Sequence, residues 1–178
     1  MKIRSFLFTF ACLLASNTGM IAQSGSLAAG TKITMFDDKK KNIENLEVGD
    51  AVLSFNTKDK VYEEKKVKSI KKIMYNRLVR VTLESGMQLT MTGDCPFLAE
   101  KGWVSVDPGP DEPDKKYTGV KPCRTGEFTL FYNVTSTDYV EITAIQGIMA
   151  PTQTYMVELE GNGAIIANGF LAGQNKME

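Results

Sequence analysis

Ser26 is the side chain best placed to act on the backbone itself. A hydroxyl just C-terminal to a peptide bond can attack the carbonyl before it, here that of Gly25. Glycine has no Cβ, so the approach is open and the backbone tolerates distortion. Such an acyl shift needs a base for the hydroxyl proton, an acid for the departing amide nitrogen, and stabilisation of the tetrahedral oxyanion. The composition withholds the usual proton carrier: the 178 residues include no histidine. That excludes Ser-His-Asp catalysis, paired-histidine zinc sites and most catalytic zinc sites. No metal site and no cofactor is expected. Cys95 and Cys123 are the remaining reactive groups of the body of the chain, and in an oxidising compartment such an even pair can form a disulfide.

The elements that position these groups read as short strands and hairpins. Ile33 and Met35 alternate with polar neighbours before the polar turn Asp37-Asp38-Lys39-Lys40-Lys41. Ala51 to Phe55 reads as a strand after the Gly49-Asp50 turn. Lys58 to Lys72 mixes lysines with Glu63 and Glu64, as the solvated face of a two-stranded ribbon does, with Val61, Val67 and Ile70 pointing inward. Leu78 to Thr92 is the clearest hairpin, turning at Glu84-Ser85-Gly86. It carries Thr92 and Cys95 to a strand end, where a loop can hold chemistry on a rigid base. Asp107 to Asp114 combines three prolines and four acids, which predicts a surface loop. Phe128 to Tyr132, Val140 to Ile145, Tyr155 to Leu159 and Ala164 to Ala167 are further strands, and Asn168-Gly169 is a tight-turn pair before Phe170-Leu171-Ala172. Asn133-Val134-Thr135 matches a glycosylation acceptor, of consequence only in a eukaryotic secretory pathway. Trp103 is expected in the core. The chain predicts an all-β domain with no helical periodicity outside its first residues.

Four stretches together resemble the hedgehog/intein (Hint) family: Ser26-Leu27-Ala28-Ala29-Gly30-Thr31-Lys32-Ile33; Ile43 through Asp50 to Phe55; Thr92-Gly93-Asp94-Cys95-Pro96-Phe97 with Gly102-Trp103; and Tyr155 to Leu159 through Asn168-Gly169-Phe170-Leu171. The resemblance implies a Hint fold of many short strands and hairpins. It also assigns roles, with Ser26 as nucleophile, Thr92 as its hydrogen-bonding helper, Cys95 in the place of the family's histidine, and Asp50 in the turn of the first block. Two departures matter. A thiol is a weak hydrogen-bond donor with an ordinary pKa of about 8.5 and shuttles protons poorly near neutrality. The family's terminal His-Asn is replaced by Phe170-Leu171-Ala172-Gly173, with no amide side chain at the asparagine position.

The organisation expected is an export signal over residues 1–22 and a Hint-like domain over 23–178. Lys2 and Arg4 precede an apolar run, and Met20-Ile21-Ala22 ends in a small residue suited to cleavage. The run is too short to span a bilayer, so no transmembrane segment follows signal removal. Cys12 fits a lipid-anchored cysteine poorly, and a secreted or periplasmic protein is the expectation. Losing Lys2 and Arg4 leaves 19 basic against 21 acidic residues, a balance that does not suggest nucleic acid as a partner. These features point to a domain without splicing activity that serves as a structural or binding module, with room for a protein partner. The alternative is residual autoprocessing, an N–O acyl shift at Ser26 with cleavage after Gly25. A third reading is a thiol role for Cys95 and Cys123.

Overall fold

The computed structural model describes residues 25–108 and 119–173. The export signal, Cys12, most of the proline-rich segment, and Gln174 to Glu178 lie outside the described residues. The described chain is all-β, and its one helical element is a 3-10 turn at Ile43–Asn45. Fifteen strands follow in order. They are β1 (Leu27–Ala28), β2 (Lys32–Thr34), β3 (Lys40–Asn42), β4 (Ala51–Asn56), β5 (Val61–Tyr75), β6 (Leu78–Leu83), β7 (Gln88–Met91), β8 (Phe97–Ala99), β9 (Gly102–Ser105), β10 (Lys121–Pro122), β11 (Phe128–Asn133), β12 (Ser136–Ile148), β13 (Thr152–Leu159), β14 (Ala164–Ala167) and β15 (Phe170–Ala172).

Two long strands organise the rest. Residues 61–66 of β5 pair with β4, and beyond Val67 the same strand pairs with β13. Residues 136–141 of β12 pair with β11, and residues 142–148 pair with β6. The switch points are Val67 and Ile142, both fully buried, and a register shift accompanies each. A shift of this kind bends a strand and raises its twist, so one strand can serve two sheet surfaces wrapped around a common core. The core runs through Ile33, Val67, Leu89, Met91, Phe97, Ile142 and Phe170. Phe97 and Phe131 each meet Phe170 edge to face at 6.1 Å.

The expected hairpins form. Gly86 takes φ 79° in the turn between β6 and β7, and Asn168 and Gly169 take φ 49° and 89° between β14 and β15. Both residues of the second turn are left-handed, the geometry that favours Asn-Gly in two-residue hairpins. Two expectations need correction. Val61 is exposed where inward packing was predicted, because it starts β5 at the rim, while Val67 is buried and Ile70 half-buried. Alternation also fails in β13, where Thr154, Tyr155, Met156 and Val157 are all buried. That strand lies between β1 and β5 and is covered on both faces.

Candidate functional site

The site forms where the start of the body, the loop after β7 and the end of β15 meet. Strand β1 inserts between β7 and β13, with Leu27 opposite both Met91 and Tyr155. This register continues to Ser26 and Thr92, and Thr92 N–H donates to the Ser26 carbonyl at 2.9 Å. The return bond is different. The Thr92 carbonyl accepts the Cys95 N–H at 3.1 Å, closing a four-residue turn over Thr92-Gly93-Asp94-Cys95. The Ser26 N–H therefore donates to Thr92 Oγ1 instead, at 3.0 Å. A threonine three residues before the group at position 95 is what this arrangement needs. Its carbonyl folds residue 95 back over the junction, and its hydroxyl holds the junction's amide.

Cys95 lands against Gly25. A Cβ built on Gly25 would lie 2.4 Å from Cys95 Cα and 2.6 Å from its Cβ and Sγ, so only glycine fits. The chain's other end reaches the same loop: Gly173 N–H donates to the Pro96 carbonyl at 2.7 Å. Trp103, half-buried beside the smaller core cluster, backs this contact, since a Cβ on Gly173 would lie 3.0 Å from its Cζ3. Ser26, Thr92 and Cys95 are thus brought together around the Gly25–Ser26 junction.

The electrostatics of this centre are apolar. Cys95 is wholly buried, and burial, with the Asp94 carboxylate adding to it, pushes its thiol far above the ordinary thiol range. It stays a neutral S–H at any ordinary pH, unable to trade protons with Ser26 or with the amide nitrogen. Ser26 Oγ is buried without a hydrogen-bond partner among the described residues. An orphaned hydroxyl of this kind costs about 1–3 kcal/mol. Tyr75, at the end of β5, also reaches this centre. Its phenol comes near the Ser26 hydroxyl without closing a hydrogen bond. Burial and the Asp94 carboxylate raise the Tyr75 pKa, and the Ser26 hydroxyl works the other way. No spacing motif could have found it, because β5 reaches this point only through its pairing with β13.

Asp50 is engaged elsewhere. Its carboxylate accepts Lys41 Nζ at 2.7 Å and the Glu47 N–H at 2.8 Å, pinning the turn at Gly49. Burial tends to raise its pKa and is outweighed by Lys41 and the Glu47 amide, which hold it below the ordinary range. The Cys95–Cys123 bridge that the pair of cysteines left open is not formed, and both are free, buried thiols. The topology explains this. Cys95 precedes β8, Cys123 follows β10, and β9 lies between those strands. Two strand spacings come to about 9–10 Å, beyond the Cα separation a disulfide spans. Among the described residues no cluster of three or more acidic or thiol side chains could hold a metal, and no helix is long and apolar enough to cross a membrane.

No protein-family model matches the sequence, and no curated protein matches it. The solved structures are informative. A DnaB intein from Synechocystis sp. PCC 6803 superposes with a TM-score of 0.67 at 15% identity, covering 86% of this chain and 99% of that one. A bacterial intein-like domain from Clostridium thermocellum gives 0.65 at 19% identity, covering 84% and 98%. The gp41-1 intein gives 0.65 at 20% identity, covering 86% and 100%. The chain has a Hint/intein-like fold. At these identities the likeness establishes the fold alone.

Proposed function

We propose that this protein is an exported Hint domain that does not splice and that serves as a structural or binding module, keeping its former centre as a clamp on the Gly25–Ser26 junction. The observation that carries this reading is Cys95. A buried thiol, held neutral and packed onto Gly25, fills the place where the family resemblance puts an imidazole. It supports the junction by shape and supplies no proton transfer. The far end agrees: among the described residues, β15 and Gly173 carry no amide side chain, and Leu171 and Ala172 are buried in the strand.

Intact-mass measurement of the exported protein tests the reading. A mature N-terminus at Gln23, identical in wild type and Ser26→Ala, is expected. An N-terminus at Ser26 that disappears in Ser26→Ala would overturn it. That outcome is the second reading, a residual N–O acyl shift. It is favoured by one observation, the unpartnered Ser26 hydroxyl beside its own scissile peptide. In that shift the Ser26 Oγ–Gly25 carbonyl bond forms, the Gly25–Ser26 C–N bond breaks, and the hydroxyl proton ends on the new amine. The resulting ester is open to hydroxylamine, so hydroxylamine-dependent loss of the leader would identify it.

A further inference from the structure

A second concave site lies away from the junction, between the tips of three hairpins. It is a cleft of about 400 Å³ walled by Met87, Val134, Phe131 and Tyr132, with Lys32 and Lys40 along one side. That volume is in the range of sites for small molecules.

The cleft is built rather than incidental. Its floor is the Phe131 ring seated on Gly169, where a Cβ would lie 2.4 Å from the ring's Cε2. Asn168 ties the base together: its Oδ1 accepts the Lys32 N–H and its Nδ2 donates to the Gln88 carbonyl, both at 2.8 Å. The two lysines start from one ribbon, because Lys40 pairs with Thr34, two residues from Lys32. Lys40 Nζ donates to Thr34 Oγ1 at 2.6 Å and sits 5.6 Å from the Tyr132 ring centroid. An ammonium has three N–H donors, so two remain to be satisfied.

The neighbouring acids, Asp38 near Lys40 and Glu44 near Lys32, feel these charges without closing an ion pair, and their hydrogen bonds go elsewhere. Asp38 accepts the Tyr132 hydroxyl at 3.0 Å and Glu44 accepts the Gly30 N–H at 2.9 Å. Neither lines the cleft, and no salt bridge joins either of them to Lys32 or Lys40. No acidic side chain is among the lining residues. Met87 and Val134, 41% and 53% exposed, leave an apolar rim facing water. Partial burial holds the Lys40 ammonium below its ordinary pKa, with the Asp38 carboxylate working the other way.

We propose that this cleft binds small organic anions with an apolar body, the anionic head on Lys32 and Lys40 and the body over Phe131 and between Met87 and Val134. The proposal deepens the reading of the domain as a binding module, and the intact-mass result at Gly25–Ser26 is decided independently of it.

The test is amide NMR titration of the mature domain with 4-phenylbutyrate, using the uncharged 4-phenylbutanamide as control. Saturable shifts centred on Lys32, Val134 and Gly169 are expected from the carboxylate, with the amide weaker by about tenfold, the scale of one lost charge-assisted contact. Lys32→Gln with Lys40→Gln should weaken the carboxylate by a similar factor and leave the amide unchanged. Val134→Glu, at an exposed rim position, should weaken the carboxylate by placing a like charge at the mouth, with the amide spectrum away from the cleft unchanged as the check on folding. Equal affinity for the two probes, shifts centred elsewhere, no shifts at all, or an unchanged affinity in the lysine double variant would each overturn the proposal.

Discussion

Gly25→Ala probes the meeting of the junction and the Thr92 loop directly. The new methyl would sit 2.4 Å from Cys95 Cα and 2.6 Å from Cβ and Sγ, about an ångström inside ordinary contact. Backbone is one of the obstacles, so a rotamer change cannot relieve the overlap. Two responses are open, and the cheaper one sets the magnitude. Overpacking of this kind costs about 1–3 kcal/mol when the core yields. Peeling the junction away instead surrenders the Ser26 N–H to Thr92 Oγ1 bond and the Thr92 N–H to Ser26 carbonyl bond. Two such bonds also come to about 1–3 kcal/mol. Either route predicts a loss of about 2 kcal/mol, a fall in Tm of about 4–8 °C for a domain of this size. Calorimetry of wild type, Gly25→Ala, Cys95→Gly and the double variant checks it. Cys95→Gly removes Cβ and Sγ but leaves Cα in place, so the double variant should recover only part of the Gly25→Ala loss. A Gly25→Ala protein that melts with the wild type would refute the placement of Gly25 on Cys95, and with it the clamp.

Other outcomes follow from the same contacts. Thr92→Val keeps the shape and removes the acceptor of the Ser26 N–H. It should cost about 1–3 kcal/mol in urea unfolding, with Thr92→Ser close to wild type. Burial, with the Glu127 carboxylate adding to it, pushes the Cys123 thiol up to about 11. The folded state then keeps a proton that the unfolded thiol loses above about 8.5, so stability is complete below that pH and falls as pH rises towards 11. The slope is about 1.4 kcal/mol per pH unit for this group, and the decline should be shallower by that amount in Cys123→Ala. A thiol reagent should label neither Cys95 nor Cys123 in the native protein and both in denaturant, whereas a single labelled pair of half-cystines after reduction would contradict the free thiols. Gly163→Ala should destabilise the domain, because its Cβ would sit 2.2 Å from Ser54 Oγ at a φ of 157°. Adding Ser54→Ala removes the oxygen and should restore part of the loss in the same melts.

What the sequence determined by itself is local. Alternating apolar residues, the Asn168-Gly169 and Glu84-Ser85-Gly86 turns and the missing helical period were enough for an all-β chain of hairpins, because turn geometry and pleat depend on neighbours along the chain. The spacing Thr92-Gly93-Asp94-Cys95 was equally legible, since a four-residue turn is a local hydrogen bond. The absence of histidine needed no coordinates at all.

Tertiary structure alone decided which distant groups share a space. Val67 and Ile142 look like ordinary strand residues, yet they are where β5 and β12 change partners, and that bend is a property of the whole sheet. It brings Tyr75 towards Ser26, and the separate pairing of β9 with both β8 and β10 sets it between the two cysteines. Asp50 reads as a candidate for chemistry, and its salt bridge to Lys41 made it a turn fastener. The Lys32–Lys40 cleft draws on β2, β3, β11 and three hairpin tips separated by long stretches of chain. Such a cavity is created by long-range packing, which no periodicity along the chain encodes.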